Sequence, residues 1–227
     1  MPKKVTFSFD DGVTQDIRLI EMMNRYGVKS TFNLNFELLG RTGDISQNGI
    51  TVTHNKVKPG DVKSIYEGHE IASHTLTHPL LTELSDKEVI RQVETDRLRL
   101  SELAGYEIVG FAYPGGGVNY SAHAAEVIKN NTGVKYARTT KESHNFNVTT
   151  GDELYTLLPT ARHRNIDALY PLFKSFMKSD DDNALFYIWG HSYELDFDNA
   201  WDKFEEFLKF ISSHKGIEFV TNKQALL

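Results

Sequence analysis

The stretch Val5-Thr6-Phe7-Ser8-Phe9-Asp10-Asp11-Gly12 decides the fold. Its first five residues alternate apolar with small polar side chains, the two-residue period of a strand, and the run breaks at two adjacent carboxylates and a glycine. Beyond it, Ile17, Ile20 and Met23 recur at i, i+3 spacing until Gly27, which reads as a C-cap, so a helix follows the strand. A strand that ends in acids and leads into a helix is the unit on which α/β folds carry their chemistry.

The same alternation continues outward. Residues 30–35 read as a second strand, the polar stretch at about 40–60 as a loop insertion, and residues 70–73 as a third strand after a short helix. Ser85 and Glu88 have capping-box spacing and open an amphipathic helix in which Val89, Val93, Leu100 and Leu103 form the apolar stripe before Gly105. Strands are predicted at 109–113, 134–138, around Leu157, 185–189 and 217–220, with helices at 122–129, 167–178 and 201–214. Residues 139–153 look irregular. Seven to eight strands alternating with helices imply parallel pairing by right-handed crossovers. The fold class is therefore α/β: a distorted or incomplete (β/α) barrel, one domain over residues 1–227, with an open doubly wound sheet as the alternative.

Composition narrows the function. Across 227 residues, 40% hydrophobic content supports one large core, and a net charge of -6 without basic blocks argues against nucleic acid as a partner. No segment has the apolar length of a membrane span. Cysteine is absent, which removes disulfides, thiolate ligands and a cysteine nucleophile together. Lys3 and Lys4 lead into a strand pattern rather than an apolar leader, so with Met1 as the native start a cytoplasmic location is expected. Oligomeric state is left open.

The chemistry-bearing residues all follow strands. Asp10 and Asp11 close the first; one carboxylate can ligate a metal while its neighbour accepts a proton, although a strand-to-helix turn uses the same residues. His74 and His78 follow the third, and on a helical turn their i, i+4 spacing would put both imidazoles on one face, able to bind one ion, although Thr75, Thr77 and Pro79 around them favour a loop. Tyr113-Pro114-Gly115-Gly116-Gly117 follows the fourth, where glycines leave backbone N–H groups open to a developing oxyanion; no GK[ST] follows, so this is no phosphate loop. Gly190-His191 follows a later strand and offers a proton donor. If the strands are parallel, every one of these groups meets on one rim.

Taken in order, Phe9-Asp10-Asp11-Gly12, His74-Thr75-Leu76-Thr77-His78, residues 111–116 and residues 188–191 resemble the motifs of the polysaccharide deacetylase family, the NodB-homology or carbohydrate esterase family 4 group. The resemblance covers most of the chain. It implies a metal-dependent hydrolase that removes N-acetyl groups from an amino sugar or oligosaccharide, so an acetylated carbohydrate is the implied partner. Asp11, His74 and His78 would hold one divalent ion, zinc first, with cobalt or nickel able to take the same site. Asp10 would be the general base, His191 the general acid, and the Tyr113 backbone N–H a donor to the oxyanion.

Two positions depart from the family pattern. The third-motif arginine that steadies the base reads Ala112, and Arg138 is the candidate substitute. The fourth motif, with its orienting acid and groove tryptophan, is not recognisable between residues 139 and 153; Trp189 and His163 are the candidates to line or orient the pocket. Two other readings are a hydrolase of another small C–N amide, as in allantoinase-like relatives, and a non-catalytic carbohydrate-binding relative.

Overall fold

Strand β1 (Lys3–Asp10) is buried on both faces from Val5 onward in the computed structural model, which describes residues 2–181 and 183–227. The alternation in its sequence sorts two environments. Val5, Phe7 and Phe9 join the apolar core under the helices. Thr6 and Ser8 hydrogen-bond to Asn222 and Asn33, part of a polar network inside the sheet. Both faces being covered is the usual condition of a parallel strand in an α/β protein.

In chain order the remaining elements are α1 (Gln15–Arg25), β2 (Thr31–Leu34), β3 (Asp44–Gln47), β4 (Ile50–Thr53), α2 (Val62–Ile65), β5 (Glu70–Ser73), α3 (Asp86–Ile90) and α4 (Asp96–Ala104). There follow β6 (Gly110–Ala112), α5 (Ala122–Asn131), β7 (Tyr136–Arg138), β8 (Ala161–Arg162), α6 (Ile166–Lys178) and β9 (Leu185–Gly190). The chain ends with α7 (Glu194–Phe197), α8 (Trp201–Ser212), β10 (Ile217–Phe219) and α9 (Asn222–Leu226). The main sheet runs β7-β6-β5-β2-β1-β9-β8, with β10 paired to the first residues of β1, and its pairings are parallel.

The two ends of this sheet meet through one segment. Leu157 bridges Arg138 on β7, and four and five residues later Ala161 and Arg162 pair with Ile188 and Trp189 on β9. Residues 157–162 thus close the ring, so the fold is the distorted (β/α) barrel rather than the open sheet. The strand expected around Leu157 is this seam: one bridge at Leu157 and a two-residue strand beyond it.

Two local expectations are corrected. The insertion at 40–60 holds an antiparallel hairpin, β3–β4, turned at Asn48 and Gly49, whose φ values of 51° and 80° suit a two-residue turn with both central residues left-handed. Ile45 and Val52 of this hairpin pack against the cluster of Val13, Tyr193 and Phe197. Ser85 does stand at the N-cap of α3, but its side chain makes no cap bond, and Glu88 pairs with Arg91 instead. The helix that follows widens to π geometry over Arg91–Thr95 before α4. Among the described residues no helix is long and apolar enough to cross a membrane.

Phe204 on α8 is the keystone of the helix–sheet contact, wholly buried and edge-on to Phe7 and Phe9 at centroid distances of 6.3 and 6.2 Å. Phe204→Ala should lower unfolding free energy by about 3–5 kcal/mol in a denaturant titration, the cost of an aromatic-sized cavity. A loss below about 1 kcal/mol would mean that this layer does not carry the core.

Candidate metal centre

The two carboxylates of β1 part company because the chain turns between them. Asp11 has φ of 85° and Gly12 of 59°, so Asp10 keeps the inward direction of the strand while Asp11 swings toward the hairpin. A Cβ on Gly12 would lie 2.5 Å from Leu34 Cδ2, which is why the turn takes glycine. His74 and His78 converge from a loop, as Thr75, Thr77 and Pro79 around them suggested, and not from a helical turn. They sit in an irregular loop, with Thr75 at φ 70° and His78 at φ 62°. Left-handed backbone at a residue other than glycine costs roughly 1–3 kcal/mol in the strained cases, so the surroundings must hold it.

They do so from the π segment and α4. Asp96 accepts from Ser73 Oγ at 2.6 Å, His74 N at 3.2 Å and Phe36 N at 2.7 Å. The Gln92 carbonyl, in the widened turn, takes the Leu76 N–H at 3.0 Å, and Gln92 Oε1 takes the Thr77 N–H at 3.1 Å. The loop is therefore hydrogen-bonded along its length to one helix.

Ligand geometry follows. His74 Nδ1 donates to the Ala112 carbonyl at 2.8 Å, which fixes the tautomer and leaves Nε2 with a free lone pair; that atom is buried with no protein partner. Asp11, His74 and His78 each offer a ligand atom within 4.8 Å of the others, and His78 Nε2 lies 3.7 Å from Asp11 Oδ1. Ligands about 2 Å from a shared ion stand at roughly these separations, and two nitrogens with one oxygen suit zinc, cobalt or nickel with positions left open. Burial pushes the His74 imidazole down to about 4, so it is neutral at pH 7, as a ligand must be. Burial opposes ionisation of Asp11, but Lys56 and His54 outweigh it and hold the carboxyl well below its ordinary range.

Asp10 and Arg138 form a buried ion pair, both side chains almost or wholly without exposure. Asn33 Nδ2 also donates to Asp10 Oδ1, at 2.7 Å. The sheet explains the pairing: Ala112 on β6 and Arg138 on β7 are register partners, so the arginine comes from one strand over at the same depth in the barrel. Burial would raise the Asp10 carboxyl; Arg138, His74 and His191 together bring it below its ordinary value.

His191 faces Asp10 across the pocket, Nε2 to Oδ2 at 4.0 Å, and its Nδ1 lies 3.5 Å from Glu194 Oε2. Glu194 is the functional candidate that the sequence reading missed. It is buried, takes Arg162 on Oε1 and takes His163 Nε2 on Oε2 at 3.0 Å. Burial pulls the His191 imidazole down, but Glu194 outweighs it and the net shift is upward. The available signal was an acid three residues after the histidine, where α7 begins.

The other expected residues divide. Trp189 lines the pocket and is sandwiched between Arg138 and Arg162, 4.9 and 5.0 Å from its ring centre. His163 does not reach the pocket; it is buried between Phe9 and Phe204 behind Glu194, so its place is orienting and not substrate contact. A Cβ on Gly190 would come within 1.8 Å of His163, so glycine there lets the imidazole sit against the strand. Tyr113 is corrected too: its N–H donates to the Arg138 carbonyl at 2.9 Å and its hydroxyl to Tyr155, so the sheet already uses the group expected to meet an oxyanion. Gly115 and Gly116 line the pocket instead, and among the described residues their N–H groups have no protein acceptor. The pocket itself is a cavity of about 530 Å³ in which Asp10, Asp11, His74, His78 and His191 share the wall.

The model of the polysaccharide deacetylase family matches residues 1–137, more than half of this chain. The chain belongs to the polysaccharide deacetylase family. The matched residues carry Asp10, Asp11, His74 and His78 and stop one short of Arg138. Among similar proteins, the peptidoglycan-N-acetylglucosamine deacetylase PgdA of Listeria monocytogenes is 32% identical over 120 residues, 52% of this chain and 22% of that protein. The peptidoglycan-N-acetylmuramic acid deacetylase PdaC of Bacillus subtilis is 34% identical over 58 residues, 26% of this chain and 12% of that protein. The chain thus spans at most about a fifth of the length of these relatives. Similar solved structures include a family 4 acetyl xylan esterase from Clostridium thermocellum in complex with a cobalt ion, with TM-score 0.60, 15% identity and coverage of 98% of this chain and 89% of that one. Peptidoglycan deacetylase PdaC from Bacillus subtilis gives TM-score 0.56 at 17% identity, covering 99% and 90%. At these identities the likeness is one of fold.

Arg138→Met should leave the Asp10 carboxylate buried without its counter-charge and cost about 3–5 kcal/mol of stability at pH 7. Asp10 has a depressed folded pKa, so the pair's contribution is present above the ordinary carboxylate range and fades as pH falls through it. Denaturant unfolding of both proteins at neutral and acid pH checks this: the gap should narrow in acid.

Proposed function

We propose that this chain is a metal-dependent hydrolase that removes N-acetyl groups from an amino sugar or oligosaccharide. The observation that carries the reading is the placement of Asp10 and His191, 4.0 Å apart across a pocket whose wall includes the three metal-ligand candidates. The family and the carbohydrate deacetylases among its relatives support the substrate class.

Asp11, His74 and His78 would hold the ion, which when bound supplies Lewis-acid polarisation of water and of the acetyl carbonyl. Asp10, kept ionised by Arg138, is the base that accepts a proton from the attacking water. Its pairing also fixes which way the carboxylate faces. Gly115 and Gly116 offer N–H groups to the oxyanion as the acetyl carbon becomes tetrahedral. His191 holds a proton at Nε2 and delivers it to the leaving amine, and Glu194 keeps that proton on the ring to higher pH. Trp189 gives the sugar an apolar wall. Arg138 beside Asp10 and Glu194 beside His191 stand in for the altered third-motif arginine and the unrecognised fourth-motif acid, which supports a catalytic over a purely carbohydrate-binding reading.

Acetate release from a panel of N-acetylated mono- and oligosaccharides tests this reading with the metal-loaded protein. Asp10→Asn should lower kcat by about 10²–10⁴-fold. Should no sugar release acetate while a cyclic ureide is hydrolysed, the allantoinase-like reading replaces this one.

A second test is the pH–rate profile. His191 must be protonated to act, so rate falls as pH rises through its raised pKa, and this sets the basic limb. Glu194→Gln removes the charge that raises it, so the basic limb should move to lower pH. An unmoved limb would show that Glu194 only packs.

A further inference from the structure

We infer that His54-Asn55-Lys56, at the base of the β3–β4 hairpin, is an outer shell that tunes how tightly Asp11 holds its ion, His54 strengthening the site and Lys56 weakening it. This rests on the metal reading above. His54 Nε2 lies 3.3 Å from Asp11 Oδ2. A carboxylate only accepts, so Nε2 carries the hydrogen and donates. The ring is kept at that oxygen by Tyr193, edge-on at 4.8 Å. Asp11 Oδ1 points the other way, 3.7 Å from His78 Nε2. The two oxygens are thereby assigned: Oδ2 is tied to His54, and Oδ1 is left toward His78 and the ion. An outer hydrogen bond of this kind orients a ligand before the metal arrives.

Lys56 acts on the same carboxylate with opposite sign. Its almost fully buried ammonium lies 3.5 Å from Asp11 Oδ1, the oxygen that faces His78, and donates to the Asp11 carbonyl at 2.8 Å. A fixed positive charge against the oxygen that meets a dication competes with it electrostatically. The placement is built into the backbone. Thr14 N donates to the Asn55 carbonyl at 2.8 Å and Val57 N to the Gly12 carbonyl at 2.9 Å, so the hairpin base is stitched to the turn that carries Asp11. Val13 and Lys56 complete it as a bridge.

Cobalt(II) affinity, read by calorimetric titration of the metal-free full chain, tests the inference without reference to turnover. His54→Ala should weaken binding by about 10–100-fold, and His54→Gln, whose amide can still donate, should recover part of that loss. Lys56→Met should bind on the order of tenfold more tightly, and Lys56→Gln serves the same purpose if the methionine variant does not fold. Thermal unfolding of each metal-free variant confirms that it is folded. The inference is overturned if His54→Ala binds within about twofold of the parent chain, or if the Lys56 variants bind no more tightly. A parent chain that binds no cobalt is a distinct outcome and overturns the metal reading itself.

Discussion

The buried pair of Asp10 and Arg138 is the interaction around which the pocket is organised. Two charges removed from water are costly unless geometry and further hydrogen bonds compensate, and here Asn33, the Thr139 carbonyl and the face of Trp189 complete the environment. The pair also has a mechanical role. Asp10 ends β1 and Arg138 ends β7, which the sheet separates by three strands, so their contact spans the barrel interior and holds opposite walls at a fixed distance. The position of Asp10 thus depends on barrel curvature, and the curvature is in turn braced by its pairing with Arg138.

A second set of contacts deals with backbone strain. Asp11, Thr75 and His78 all take left-handed conformations, and all lie in or between the ligand positions. Such residues persist where the surroundings over-determine them. The helix that runs through its π turn meets the His74–His78 loop with two side chains and one main-chain carbonyl, while the hairpin base meets the Asp11 turn from the other side. Ligand placement is thereby decided by elements that contribute no ligand.

Much of this was legible in the chain. The alternation from Val5 to Phe9 places β1, and the parallel topology brings Asp11, His74, His78 and His191 to one rim as expected. Arg138 was the candidate to replace the family's third-motif arginine, which reads Ala112 here, and it pairs with Asp10 from the strand beside the one that carries Ala112. What escaped was set by tertiary contacts. Glu194 had only its three-residue spacing from His191 to mark it, and the packing of His163 and Arg162 around it is what sets it apart from other acids near a helix start. Tyr113 was misread because a strand-end N–H looks free until the β7 carbonyl that accepts it is placed. The hairpin was different: Asn48-Gly49 between Ile45 and Val52 is a local turn signal, and the polar composition around it hid it.

The closing segment at 157–162 ties the last strands of the barrel to the pocket. It is held to β7 by the Leu157 bridge, with Leu157 N donating to the Ala137 carbonyl and Thr139 N to the Leu157 carbonyl, and to β9 by two residue pairs and the Thr160 N to Tyr187 carbonyl bond. Arg162, its last residue, lies over the Trp189 ring and pairs with Glu194 Oε1, and the other oxygen of that carboxylate faces His191. Fastening the ring and backing His191 are thus a single arrangement, as one clasp both closes a bracelet and sets its stone.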